Sequence, residues 1–316
     1  ESWRDLTSLF YHFETQPIPN PLSTWFHHLP RWMLKGGVLF NHFVELIVPI
    51  GYFLTAPFRI VAGLFTVLFQ FILILSGNLS WLNWLTIVLC IPCFDDRVWR
   101  YVIPQSVLAK LPAEIVVMPY TMPAKFTLFL LGGLVFYLSI NPIKNLIGPR
   151  QAMNTSYDPF HLVNSYGAFG HIGQIRHELV ISGTTDPKGE IWHDYSFKAK
   201  PGNLTTGFPI ISPYHYRLDW QIWFAAMGSY QQNPWLIHFI YKLLINDTET
   251  SRLLKSNPFK DHAPQAIKVD LYQYQFPPKG YKGPLKWNRT YIKEYLPALH
   301  KDNPSLNTYL QQHGWK

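Results

Sequence analysis

The chain has 316 residues, of which 48% are hydrophobic and 16% aromatic. That is enough for a membrane part and one soluble domain, and it excludes a disordered protein. The net charge of +8 is spread over both halves and interrupted by acidic residues, so nucleic-acid binding is not indicated.

The chain opens at Glu1 without a methionine and without a leader, and it reads as a piece of a longer protein whose N-terminal part is missing. Residues 1–37 combine aromatics with Pro17, Pro19, Pro21 and Pro30, and are expected to form an irregular, membrane-proximal segment. His12, Glu14, His27 and His28 lie in it. They could in principle bind a metal or serve as acid and base, but no HExxH or other ligand spacing is present, and surface or interfacial roles are favoured.

Four apolar stretches follow, at 38–56, 58–76, 79–94 and 126–140, and are expected to span a membrane. The second, FRIVAGLFTVLFQFILILS, carries one charge and one amide and as a helix would cover roughly 28 Å, close to the bilayer's hydrocarbon thickness. In the first, Asn41, His42 and Glu45 share one flank, and such groups face the bundle, a cavity or the interface. The third is short for a full span. The fourth is expected to stop at Asn141-Pro142. The only cysteines, Cys90 and Cys93, sit at the end of the third stretch rather than at the helix start that a redox CxxC requires, so passive membrane cysteines are favoured. The soluble part contains none and must fold on burial alone.

The loop at 95–125 carries Arg97, Arg100, Lys110 and Lys125, which places it in the cytosol by the positive-inside rule. Four crossings then put residues 1–37 and everything after Asn141 on the far side. Asn-x-Ser/Thr sequons at Asn154, Asn203, Asn246 and Asn288 agree with that side, whereas the one at Asn78 would hug the bilayer and is expected to be unused.

Beyond residue 164 the hydrophobic period changes. Residues 177–183 (HELVISG) and 190–199 (EIWHDYSFKA), joined by TTDPKG at 184–189, read as a hairpin. Residues 267–276 (IKVDLYQYQF) read as a strand with one wet face. Between them a helical insert spans 219–256. Asp219 is expected to cap a helix that ends at Gly228, and Asn233-Pro234 to start a second, apolar one with a polar stripe of His238 and Lys242. Trp220, Trp223, Phe224 and Met227 recur at helical spacing, which favours core and leaves a client-binding surface as the sharper alternative. The fold class is therefore a membrane α-helical bundle followed by an α+β domain at 142–316, with sandwich-like strands and a helical insert.

Several long strings in this chain closely resemble the lipase maturation factor family: WRDLTSLFYHFETQPIPNPLSTWFHHLP (3–30), NHFVELIVP (41–49), SGNLSWLNWLT (76–86), NSYGAFGHI (164–172) and SPYHYRLDWQIWFAAMGSYQQNPWLIHFIYKLL (212–244). The SPYHYRLDW and NPF (257–259) segments look nearer the family's second paralogue than its first. The resemblance implies a multi-pass endoplasmic-reticulum membrane protein with its C-terminal domain in the lumen, assisting secreted, lipoprotein lipase-type enzymes to reach their active dimeric form. It implies no catalytic residue, no cofactor and no metal. The residues themselves offer no grouping of nucleophile, base and orienter. The alternative is a membrane enzyme distantly like vitamin K-dependent carboxylase, with His42 and Glu45, or His12 and Glu14, as acid and base.

Overall fold

The computed structural model describes residues 2–110, 119–148, 151–167, 170–186 and 188–315. The chain divides into two compact units, Glu1–Asp96 with Ile172–Lys316, and Arg97–His171.

The first unit opens with two short helices, α1 (Leu9–Thr15) and α2 (Ser23–His27), so the segment expected to be irregular is half helical. The long helix α3 then runs from Arg31 to Gly51, starting seven residues before residue 38. It widens to a π-turn over Phe43–Ile47, where the Val48 amide donates to the Phe43 carbonyl. Pro49 supplies the reason, since its ring would meet the carbonyl four residues back and it brings no N–H of its own. The helix α4 (Ala56–Ser76) follows. Val44 and Val48 of α3 pack on Ala62 and Phe69 of α4. The helix α5 (Leu82–Leu89) with a 3-10 turn at Ile91–Cys93 returns along α4. Gln70, the lone amide of α4, accepts from Asn83 Nδ2 of α5 at 2.7 Å, the kind of polar pairing that apolar surroundings demand. A Cβ on Gly63 would stand 2.9 Å from Cys93 Cβ, so this glycine is what lets the Cys93 turn close onto α4. Leu82–Cys93 is too short to span on its own. At 1.5 Å per residue it covers about 18 Å, and it ends beside Gly63 rather than at the far end of α4.

The second unit holds α6 (Asp96–Val102), α7 (Gln105–Leu108) and the apolar helix α8 (Met122–Ile147). The 95–125 loop is thus partly helical, and its residues 111–118 lie outside the described ones. The expected stop at Asn141-Pro142 is not observed, because α8 continues to Ile147 across one irregular residue, Ser139. Pro142 stands in the first turn after Ser139, where the N–H that a proline lacks would have no helical partner. Beyond it β1 (Thr155–Ser156) pairs with β2 (Asn164–Ser165).

The rest of the first unit is an antiparallel sheet with helices on one face. Its strands are β3 (Arg176–Thr184), β4 (His193–Asp194), β5 (Ala266–Gln275) and β6 (Asn288–His300), in the order β4-β3-β5-β6. Between β4 and β5 come α9 (Arg217–Ala226), α10 (Pro234–Leu244) and α11 (Thr248–Arg252), and α12 (Pro304–Gln312) follows β6. Leu179, Ile181, Ile267, Val269 and Leu271 form the sheet's share of the core, met by Ile222 and Ala225 of α9 and by Leu236, Ile240 and Leu243 of α10. Asn233-Pro234 begins α10 as expected, and this helix is buried in the core, with His238 stacked on Trp315.

Three expectations are corrected here. Among the described residues the sheet of this unit is single, so no sandwich of two sheets forms in it. The polar side of 267–276 is wet only in part, since Asp270 is buried with Lys268 Nζ at 3.0 Å while Gln275 is exposed. The hairpin shrinks to two paired residues in its second arm, because Ser196 turns away to pair with Ser256, and farther on the amides of Ala199 and Lys200 go to the Asp219 carboxylate. Pro187 of its turn lies outside the described residues.

Candidate functional site

Residues 14–23, the loop after α4 and the sheet domain are fastened to one another by buried polar groups. The last carbonyls of any helix lack partners within it. In α4 those of Ile74 and Leu75 accept from Asn20 Nδ2, both at 3.1 Å, and that of Ser76 accepts from Ser23 Oγ at 2.7 Å and Gln16 Nε2 at 3.0 Å. Gly77 makes room, because any Cβ there would overlap the Gln16 amide.

Asn78 extends the connection to the C-terminal domain. Its Nδ2 donates to Pro209 O at 2.8 Å and to Pro19 O at 3.3 Å, and its Oδ1 accepts from the amides of Ile211 and Ser212. This residue is 1% exposed. The sequon expected to be unused is therefore closed by packing.

Arg176, at the start of β3, makes the strongest attachment. Its guanidinium donates to the carbonyls of Glu14 (2.8 Å), Gln16 and Pro17 (2.9 Å), and through Nε to Glu178 Oε1 (2.9 Å). The second oxygen of Glu178 faces Lys200 Nζ at 2.9 Å, and all three side chains are buried. The guanidinium also lies over the Trp287 ring at 5.1 Å. Two more bonds cross the same junction: Phe276 N donates to Glu14 Oε2 at 2.7 Å, and Trp223 Nε1 to Thr15 O at 3.0 Å. The sequence reading missed Arg176, Glu178 and Lys200. Arg176 and Glu178 alternate onto the face of β3 opposite Leu179 and Ile181, a period-2 signal compatible equally with solvent.

Glu14 and His27 approach to 3.9 Å. Burial lowers the His27 imidazole to about 4, and burial likewise raises the Glu14 carboxyl against the pull of the Phe276 amide and Arg176. His27 is therefore neutral near pH 7, and this contact is not an ion pair. His12 is buried too and lowered to about 4 for the same reason. His42 Nε2 meets the Trp3 carbonyl at 3.1 Å, while Glu45 is exposed on α3. Among the described residues no three His, Cys, Asp or Glu side chains converge on a metal site.

The aromatic stripe of α9 is not core. Ile222, Ala225 and Ala226 face the sheet, whereas Trp220 and Trp223 are half-buried and Phe224 and Met227 are 53% and 57% exposed. Asp219 does not cap this helix. It is the third residue of α9, buried, and Tyr216 stands at the cap. Burial raises the Asp219 carboxyl, against the two amides and Lys200.

The sequons differ in availability. Asn203 and Asn288 are exposed, and Asn203 Oδ1 accepts from Thr205 N and Oγ1 in a tight local turn. Asn246 is committed, its Nδ2 donating to the carbonyls of Phe259 and Lys260 and its Oδ1 accepting from Asn257. Asn154 is exposed in the second unit.

Residues 1–101 match the lipase maturation factor transmembrane domain, and residues 162–297 the lipase maturation factor C-terminal domain. Lipase maturation factor 1 of Mus musculus is 41% identical over 99% of this chain and 58% of its own length, and that of Homo sapiens 39% over the same shares. Lipase maturation factor 2 of Xenopus tropicalis is 28% identical over 100% of this chain and 59% of its own length. The chain therefore spans somewhat over half the length of these relatives, and it is more similar to the factor 1 sequences, the reverse of what its SPYHYRLDW and NPF segments suggested. No solved structure matches it. With both domain types in order and similarity running along nearly the whole chain, it is a membrane protein that belongs to the lipase maturation factor family.

Proposed function

We propose that this chain is a non-catalytic folding factor of the endoplasmic-reticulum membrane that helps secreted, lipoprotein lipase-type enzymes reach their active dimeric form. The observation that carries the reading is the buried fastening of residues 14–23, the 76–80 loop and the sheet domain, which supports all three lying on one side of the bilayer. Exposed sequons at Asn203 and Asn288 support that side being the lumen. The relatives' printed name supports the lipase clients. The exposed half of the α9 stripe, Phe224 and Met227 beside Trp220 and Trp223, is the surface offered to a client, since aromatic and Met side chains dominate such contacts.

The test has two parts. In cells, Asn203→Gln and Asn288→Gln should each remove one glycosidase-sensitive mobility step. Co-expressed with a secreted lipase, the Phe224→Ala/Met227→Ala variant should keep its abundance while the yield of active lipase falls. Unglycosylated protein whose C-terminal domain is digested from the cytosolic side would overturn the orientation. Normal abundance with complete loss of active lipase in His42→Ala or Glu45→Ala would favour an enzyme instead, because a general acid or base contributes roughly two to four decades of rate.

A further inference from the structure

A cavity of about 660 Å³ opens between the α2–α3 connection and the irregular 277–286 loop. Trp25, His28 and Pro30 line it from one side and Lys279, Tyr281 and Lys286 from the other, and no acidic side chain is among its lining residues. Its floor is the segment held on the end of α4 by Asn20 and Ser23, and Pro30 directly precedes α3, so the cavity sits where two membrane helices end. The first turn of α3 presents exposed Trp32 and Met33 between exposed Arg31 and Lys35, the mixture of aromatic and basic side chains that marks the headgroup region. From Leu271 to Lys293 the chain has five basic residues, Lys279, Lys282, Lys286, Arg289 and Lys293, and no acidic one.

From this juxtaposition we propose that the cavity is a binding site for the phosphate-bearing headgroup of an anionic phospholipid, with Lys279 and Lys286 as the charge partners and Trp25 and Tyr281 as its walls. The position selects the lipid over a soluble anion, because acyl chains can lie along α3 and α4 while the headgroup enters from the membrane face. Each cation near an anionic surface strengthens such binding by about five-fold, so the two lysines together supply about 25-fold.

The full chain would be reconstituted in nanodiscs of phosphatidylcholine with a minor fraction of phosphatidylinositol, and the phosphatidylinositol retained after detergent extraction measured by mass spectrometry. Lys279→Gln/Lys286→Gln should lower retention by about 25-fold. Lys282→Gln, which removes one such charge from the same loop but outside the cavity lining, should leave it unchanged. All three lysines are exposed, so the variants should fold, and an unchanged thermal transition checks this. A loss of about five-fold in the control, the share of one charge wherever it sits, would mean a diffuse charge effect and overturn the proposal. So would undiminished retention in the double variant, or stronger capture of inositol phosphate or an acidic peptide than of the lipid.

Discussion

Replacing Arg176 tests the idea that the C-terminal domain and the membrane-proximal segment are one folded body. Arg176→Ala removes the donors to the carbonyls of Glu14, Gln16 and Pro17 and leaves the buried Glu178 with Lys200 alone. A buried carbonyl without a partner costs roughly 1–3 kcal/mol, but the three share one guanidinium and do not add. Removing one member of a buried ion pair costs about 3–5 kcal/mol, and we take that range for the whole change. It corresponds to two to four decades in the folded-to-unfolded ratio, a large part of a domain's stability. Arg176→Lys keeps the charge but, as a point charge, cannot reproduce the fork over carbonyls and carboxylate, so it should recover only part of the loss. The assay is limited proteolysis and thermal unfolding of the reconstituted chain. New cleavage near residues 14–17 and at the start of β3, together with a lower transition, is expected for Ala and a smaller effect for Lys. An Arg176→Ala protein with the parent's digestion pattern and transition would refute the reasoning.

Three further outcomes are expected. Ile222→Ala, at a fully buried position on α9, should cost about 2–5 kcal/mol in chemical unfolding, whereas Phe224→Ala on the exposed face should stay within about 0.5 kcal/mol. Trp223→Phe should lose the bond to Thr15, about 1 kcal/mol for that bond, and equal losses at Phe224 and Ile222 would contradict the assigned faces. Burial holds His12 at about 4 against an ordinary 6.5, so its contribution is complete above the unfolded value and is lost as pH falls toward the folded one. Between about pH 7.5 and 5.5 that is about 1.3 kcal/mol, partly offset by Glu14, whose raised carboxyl favours the folded state as pH falls. His12→Gln should flatten the slope of Tm against pH, and an unchanged slope would show that His12 is not the titrating group.

Much of the secondary structure was legible in the residues. The apolar run at 58–76 became α4, the alternation at 267–276 became β5, and Asn233-Pro234 started α10, because each signal is local: length, period and a fixed φ. Where α3 begins and α8 ends was not legible, since the first turn of α3 carries Arg31 and Lys35 outside the apolar run, and Pro142 falls in the helical turn that follows Ser139, where a proline is tolerated.

What only the tertiary structure decided is which side of each element is covered, and by what. Trp223 and Ile222 are equally apolar, yet one faces residue 15 and the other the sheet. Asn78 reads as a sequon and is a buried tether, and Asp219 reads as a cap and holds the amides of a distant loop. Arg176 and Glu178 sit at strand positions that chemistry assigns to water. They are buried because carbonyls about 160 residues earlier in the chain complete their hydrogen bonds. A buried charge is stable only with its partners in place, and those partners are a property of the folded chain rather than of any one stretch of it.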